Sequence, residues 1–388
     1  YSQWIQVADF VGSERDDLVA FTCNERAFAG SGMNTGYQVT NDFYEYSAAS
    51  NQWQAIASLP GVSRQYAFSF SFNNKAHVFA GIDQAGNDLK DGYEYHTQNN
   101  HWTNVNAYPG SGSRGCASST LNNFGYAGLG RSNGNLMHND WWQFNSDSNT
   151  WIQKTSFPGL ARNLCACFES NGYIFVAGGI GENDIAFDDI WRYNPVNDEW
   201  INLAAPLATA IGSPAHCKVK YSGVLVGGYD GQNAYTNNAQ QFDGFNSTWI
   251  NLPPIPSNGA IKGAKAFSLN NALYVTCGIT SNNTRLKSTW KYDLISSTIA
   301  NSDEHNQVVI YPNPAHDKFS IFYHENNEIP SHKIELYDAR GTLVKVINFS
   351  KLNAPFTIST AAFAEGIYLV KIYLLTEIIH QKLIVKKQ

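Results

Sequence analysis

Charged residues are scarce in this chain, 15% of 388 positions, and no apolar run approaches the roughly 20 residues that a membrane-crossing helix needs. A basic excess is missing too. Lys and Arg number 26 against 32 Asp and Glu, a formal net charge of -6, so there is no electrostatic footprint for nucleic acid. Cysteine is present but sparse: Cys23, Cys116, Cys165, Cys167, Cys217 and Cys277 do not form the dense framework of a small disulfide-stapled domain. Cys165 and Cys167 would face one side of a strand, and this C-x-C lacks the second ligand pair of a zinc site. Buried free thiols are therefore expected, with disulfides as the alternative. The opening residues Tyr1 to Trp4 carry neither an initiator Met nor a signal peptide, which reads as a processed or trimmed chain.

What is abundant points elsewhere. Aromatics make up 14% of the chain, and with plentiful Asn, Ser and Gly they suit a β-rich, turn-rich extracellular protein. Trp4, Trp53, Trp102, Trp151, Trp200 and Trp249 stand 49 residues apart. A repeat of that period marks units that bury their apolar faces only against neighbours, as in propellers and solenoids. Other ladders keep the step: Gly32, Gly81, Gly130, Gly179, Gly228 and Gly278; Asp42, Asp91, Asp140, Asp189 and Asn238; Tyr46, Tyr95, Phe144, Tyr193, Phe242 and Tyr292. In the second repeat the alternation predicts strands over Gln65 to Phe72, Ala76 to Phe79, Tyr93 to Tyr95 and from Trp102, separated by Asn- and Gly-containing turns.

The pattern Arg, apolar strand, Gly-Gly, Asp, Tyr and Asn-x-x-Trp is fullest in Arg162 to Trp200, and it resembles the kelch family of β-propellers over residues 1 to about 295. The first glycine is replaced by Ser31, Ala80, Leu129 and Cys277, and the leading Arg by Ile in the last two repeats. Trp4 has no first three strands before it, and the last repeat, Ile261 to Asp293, has no Trp strand. The amino-terminal strand is therefore expected to complete a sixth blade and remove the open edges.

After Asp293 the periodicity ends. Residues 296–307 read as a polar linker, and the short strand patterns of residues 308–388 suggest a small β-sandwich. Tyr311-Pro312-Asn313-Pro314, Ile334 to Gly341, Gly366 to Lys371 and Lys382 to Lys387 together resemble the type A carboxy-terminal sorting domain of type IX secretion cargo. The fold expected is thus all-β, a six-bladed kelch-type propeller followed by a small sandwich. The resemblance implies recognition by an outer-membrane shuttle and translocon through residues 308–388. It also implies cleavage at the linker as the passenger is released or attached to surface lipopolysaccharide. An accessory adhesion sandwich is the alternative.

Strand parity places the loops between second and third strands on the same face as the connections between repeats, which makes that face the expected ligand side. Arg15, Arg64 and Arg162, with Arg114 one residue off register, could ring a channel mouth and hold a carboxylate or sulfate; the alternative is that each pairs with an Asp or backbone of a neighbouring blade. Tyr37, Phe187, Tyr229 and Tyr235 could stack on sugars. No catalytic set, metal ligand group or cofactor is assignable. His216-Cys217 would be a fragment of a copper radical oxidase site. Glu182 and Asp184 near Arg162 would suit a sialic acid mutarotase-like enzyme, and Asp83, Asp88 and Asp230 a loose calcium site. The reading favoured is an exported, non-enzymatic propeller that binds a glycan or protein; the alternative is an extracellular carbohydrate-active enzyme.

Overall fold

Alternating apolar residues punctuated by Asn and Gly fold into tightly turned antiparallel strands. The computed structural model describes residues 3–294 except 73, 245, 246 and 258, and residues 308–387 except 312, 324–327, 330, 349–351, 354, 355 and 375–377. The chain divides into two units, Tyr1–Ile295 and Ser296–Gln388, and the expected linker at 296–307 lies outside the described residues.

The first unit contains six four-stranded antiparallel sheets among the described residues. The first is Val19–Cys23, Arg26–Gly30, Phe43–Ser47 and Gln52–Ile56, and the second Phe68–Phe72, Lys75–Phe79, Gly92–His96 and His101–Val105. Three more repeat this order, beginning at Ala117–Leu121, Ala166–Ser170 and Ala215–Val219. The sixth is built from Lys265–Leu269, Ala272–Thr276, Thr289–Tyr292 and the amino-terminal strand Trp4–Val7, with Trp4 opposite Tyr292. Each innermost strand lies against the next, and that of the sixth sheet lies against that of the first.

Three sets of interactions, each made once per sheet, account for the ladders. Each ladder Trp sits opposite the ladder Tyr or Phe of its own sheet at 4.8–5.1 Å between ring centroids. Its indole N–H donates to a carbonyl just after the last strand of the preceding sheet, as Trp102 does to Ala57 and Trp4 to Pro253, at 2.8–3.3 Å. Each ladder Gly has φ between 90° and 109° and donates its N–H to the next sheet at 2.6–2.9 Å, Gly81 to Ser113 and Gly278 back to Arg15. A Cβ on Gly81 would lie 2.7 Å from the Gln65 carbonyl oxygen, so both the conformation and the close approach demand glycine.

The third set is a closed circuit of backbone hydrogen bonds. Tyr66 N–H donates to Asp17 O, Gly115 to Tyr66, Leu164 to Gly115, Ser213 to Leu164, Gly263 to Ser213 and Asp17 to Gly263, at 2.8–3.2 Å. All six residues have positive φ. This circuit shortens the strand expected from Gln65: Tyr66 takes the left-handed conformation, and regular pairing begins at Phe68.

The second unit places Val308–Tyr311, Lys318–Tyr323 and Phe356–Ser359 in one sheet, and Leu343–Asn348, Ser331–Asp338, Gly366–Leu374 and Ile378–Val385 in another. Phe319 and Ile321 of the first meet Ile334, Leu336, Val370 and Ile372 of the second in a shared core.

Gly81→Ala and Gly86→Ala separate the two demands on glycine. Both positions have positive φ, but nothing lies within 4 Å of a Cβ on Gly86. Chemical denaturation should give a loss of about 1 kcal/mol for Gly86→Ala, and clearly more for Gly81→Ala because backbone must move.

Candidate functional site

Where the repeats enter their innermost strands, side chains surround one end of the ring. The expected arginines are among them, but three are committed to the scaffold. Arg15, Arg64 and Arg162 are at most 2% exposed. Each forms a two-pronged pair with the Asp 27 residues later: Arg15 with Asp42 at 2.7 and 2.9 Å, Arg64 with Asp91 at 2.7 Å twice, and Arg162 with Asp189. Each Nη1 also donates to the carbonyl that follows the second strand, Ser31, Ala80 or Gly178, and each Nε to the carbonyl two residues earlier. The pairs lie within one repeat, not between neighbours. With these donors occupied and the side chains buried, they offer little to a ligand. Phe187 is bound up with them, its ring centroid 3.7 Å from the Arg162 guanidinium carbon. Ser113 occupies the place of Arg64, so Arg114 falls one position later; its Nε donates to Asp88 at 3.1 Å and its Nη2 to Asn133 at 2.8 Å.

The remaining aromatics lie nearer to free chemistry. Tyr229 and Tyr235 meet edge to face at 5.9 Å, and the Lys262 ammonium lies 4.1 Å and 5.1 Å from their ring centroids. Tyr37 is half exposed; its hydroxyl accepts from Asn283, and the Arg285 guanidinium lies over its ring at 4.8 Å. Arg285 in turn pairs with buried Asp16 at 2.6 Å.

Sequence reasoning missed the positions between these residues. Asp17, Tyr66, Gly115, Leu164, Ser213 and Gly263 form the backbone circuit, and Asp16, Gln65, Arg114, Asn163, Gly212 and Lys262 precede them, of which only Arg114 was expected at the site. Asp17 is buried and hydrogen-bonded by the Tyr66 hydroxyl; burial, then the neighbouring Asp16 charge, pushes its carboxyl up to about 7. Burial lowers the Lys265 ammonium, with Asp17 acting against it. The Tyr229 hydroxyl is raised, mainly by burial, in a field shared by Lys262, Asp184, Asp17 and Arg131, so charges from several repeats converge on this ring. Arg131 Nε and Asn163 Oδ1 are buried here without a hydrogen-bond partner among the described residues. A signal existed. The Trp and Gly ladders keep their residue type from repeat to repeat, whereas the column before the circuit changes from Asp to Gln, Arg, Asn, Gly and Lys.

Below the mouth, a cavity of about 340 Å³ lies between the innermost strands, lined in part by Ser69, Ser118, Cys167, His216, Glu169 and Lys218. Glu169 and Lys218 form an ion pair across adjacent strands. His216 Nδ1 lies 3.1 Å from the Pro214 carbonyl oxygen, and burial depresses its ring to about 4. All six cysteines are free thiols. Among the described residues no group of three or more His, Cys, Asp or Glu could hold a metal ion. The loop acids have other duties: Asp83 accepts from Asn87, Asp88 holds Arg114, and Asp230 accepts from the Gln232 and Ala234 amides. Glu182 and Asp184 are exposed, while Arg162 is buried against Asp189.

Two outcomes follow. Arg64→Ala removes a buried cation and should cost roughly 3 kcal/mol in denaturant unfolding. Asp17→Asn should raise the melting temperature most at pH 8, less at pH 5 and little at pH 4. An unfolded aspartate releases its proton near about 4, so the stability carried by protonated Asp17 is complete below that pH and lost as pH rises through about 7.

The KLHDC2/KLHL20/DRC7 Kelch-repeats domain model matches residues 18–222, and the Secretion system C-terminal sorting domain model matches residues 309–386. A search of curated proteins finds no match. A solved structure titled "Structure of YjhT" is similar in fold, with a TM-score of 0.63 and 14% identity over 73% of this chain and 95% of that one. Among the described residues no helix is long and apolar enough to cross a membrane. The sorting domain implies export through type IX secretion to the cell surface or the medium. With its repeating sheets and the matched model, the chain belongs to the kelch-repeat family of β-propellers and ends in a type IX sorting domain.

Proposed function

We propose that this protein is an exported binding module whose propeller mouth takes an acidic glycan or an acidic protein segment. The observation that carries this reading is Lys262, whose ammonium lies over Tyr229 and Tyr235 and makes no ion pair among the described residues. The unpartnered Nε of Arg131 and Oδ1 of Asn163 support it, since buried polar atoms left without partners favour a ligand that completes them. With the Asp17 charge partly suppressed by burial near neutral pH and Asp16 tied to Arg285, the negative charge at the mouth is reduced beside Lys262 and Arg131. The tyrosines add flat apolar surface on which a sugar ring or aliphatic segment can lie. The site proposed on sequence grounds is thereby moved from the buried arginines to Lys262, Arg131, Asn163, Tyr37, Tyr229 and Tyr235, with Arg114 at its edge.

The carbohydrate-active alternative is not favoured. Glu182 and Asp184 have no free arginine in Arg162, and although His216-Cys217 sits within the cavity wall, no group of three or more His, Cys, Asp or Glu among the described residues could hold a metal ion.

Binding of the full chain to an array of uronate-bearing, sulfated and neutral glycans, with acidic and neutral peptides alongside, tests this reading. Acidic probes should be retained, and Lys262→Ala should weaken them about tenfold or more without lowering the melting temperature. Equal retention of neutral and acidic probes would refute it.

A further inference from the structure

The two outer faces of the carboxy-terminal sandwich differ in a way that its core does not require. On the three-stranded sheet the outward residues include Lys318, Ser320, Thr357 and Ser359, with Ser320 and Thr357 hydrogen-bonded at 2.7 Å. On the four-stranded sheet Leu343, Val344, Val346, Ile367, Leu369 and Ile378 are 39–51% exposed. Cross-strand register groups three of them with polar neighbours in two rows: Val346, Glu335, Lys371 and His380 in one, and Leu343, Tyr337, Leu369 and Lys382 in the next.

Cations sit among these apolar residues. Lys333 and Lys371 lie over the rings of Tyr373 and Tyr337 at 4.1 Å and 4.9 Å. The acid at the centre, Glu335, is already satisfied: it pairs with Lys333 at 2.8 Å and accepts from the hydroxyls of Tyr337 at 2.8 Å and Tyr373 at 2.5 Å. Lys371 and Lys382 make no ion pair among the described residues. The face therefore presents positive charge within an apolar field, and its complement is a carboxylate-bearing protein surface with apolar contacts between the acids. A bilayer fits less well, because cations interleaved with the aliphatic side chains and held over rings would be carried toward hydrocarbon with them.

We infer that this outer face, centred on Leu369 and Lys371, is the surface by which the sorting domain docks onto an acidic protein partner of the export apparatus. The inference rests on the sorting role of residues 308–388.

The test uses the full chain in a bacterium with type IX secretion, with surface and periplasmic fractions compared. Lys371→Glu combined with Lys382→Glu should lower surface delivery by about tenfold or more at unchanged melting temperature. Leu369→Asp with Val346→Asp should do the same. A photocrosslinking amino acid at Leu369 should join the chain to an outer-membrane protein with an acidic surface. Normal delivery of both double variants, or crosslinks only to lipid or to a second copy of the chain, would overturn the inference. Deletion of residues 308–388 keeps the two readings apart. If the deletion is still delivered, the sorting role fails; if it is retained while the face variants are delivered, only the docking face fails.

Discussion

Six backbone hydrogen bonds, running from Asp17 through Tyr66, Gly115, Leu164 and Ser213 to Gly263 and back to Asp17, are the constraint on which the propeller depends. They demand left-handed backbone at every step, and four of the six residues are not glycine. Such conformations cost on the order of 1–3 kcal/mol each and persist only where the surroundings determine them. Here the surroundings are the neighbouring sheets, also tied by the Gly and Trp contacts. Because main chain closes the circuit, side chains at these positions are released from holding the ring. That release allows Asp17 and Tyr66 to differ from Gly115 and Ser213 without changing the architecture, and it places variable chemistry beside an invariant frame.

The same logic explains what the sequence made legible. Tryptophan and glycine ladders were readable because each residue type does one thing that few others can: an indole spans to the preceding sheet, and glycine tolerates both positive φ and a carbonyl against its Cα. The arginines were harder to read, because a buried Arg and a ligand-binding Arg look alike in one dimension. Their partners held the answer. Asp42, Asp91 and Asp189 accompany Arg15, Arg64 and Arg162, while Ile211 and Ile261 stand in repeats where the acid has become Asn238 and Ser288. Loss of both members together marks an internal pair, since a buried carboxylate without its cation would be costly. Asp140 is the exception. Ser113 replaces its arginine, and although it accepts from the Ser111 amide and the Trp142 indole, its Oδ1 is buried without a partner.

In the carboxy-terminal unit, the motifs and strands were legible but the chemistry of the outer face was not. Ile367-Tyr368-Leu369-Val370 is apolar at successive positions, a pattern that fits a strand covered on both sides. In the fold, Tyr368 and Val370 enter the core, while Ile367 and Leu369 face outward. Sequence periodicity reports that a second apolar face exists. Only the register across four strands reveals that lysines and a satisfied glutamate lie within it.

Export also bears on the cysteines. A protein delivered outside the cell meets oxidising conditions, in which exposed thiols pair or react. Here Cys23, Cys165, Cys167 and Cys277 are buried, and Cys116 and Cys217 are half-buried in the wall of the central cavity. Burial pushes Cys23 up to about 11 and Cys116, Cys165 and Cys277 up to about 12, and raises Cys167 and Cys217 as well. Since the thiolate is the reactive species, these shifts suppress oxidation at its first step. The thiols therefore serve the interior as small apolar groups, as Cys165 does where its sulfur approaches the Cβ position of Gly179. The ring that frees the mouth for variable chemistry thus also shelters residues that would not endure exposure there.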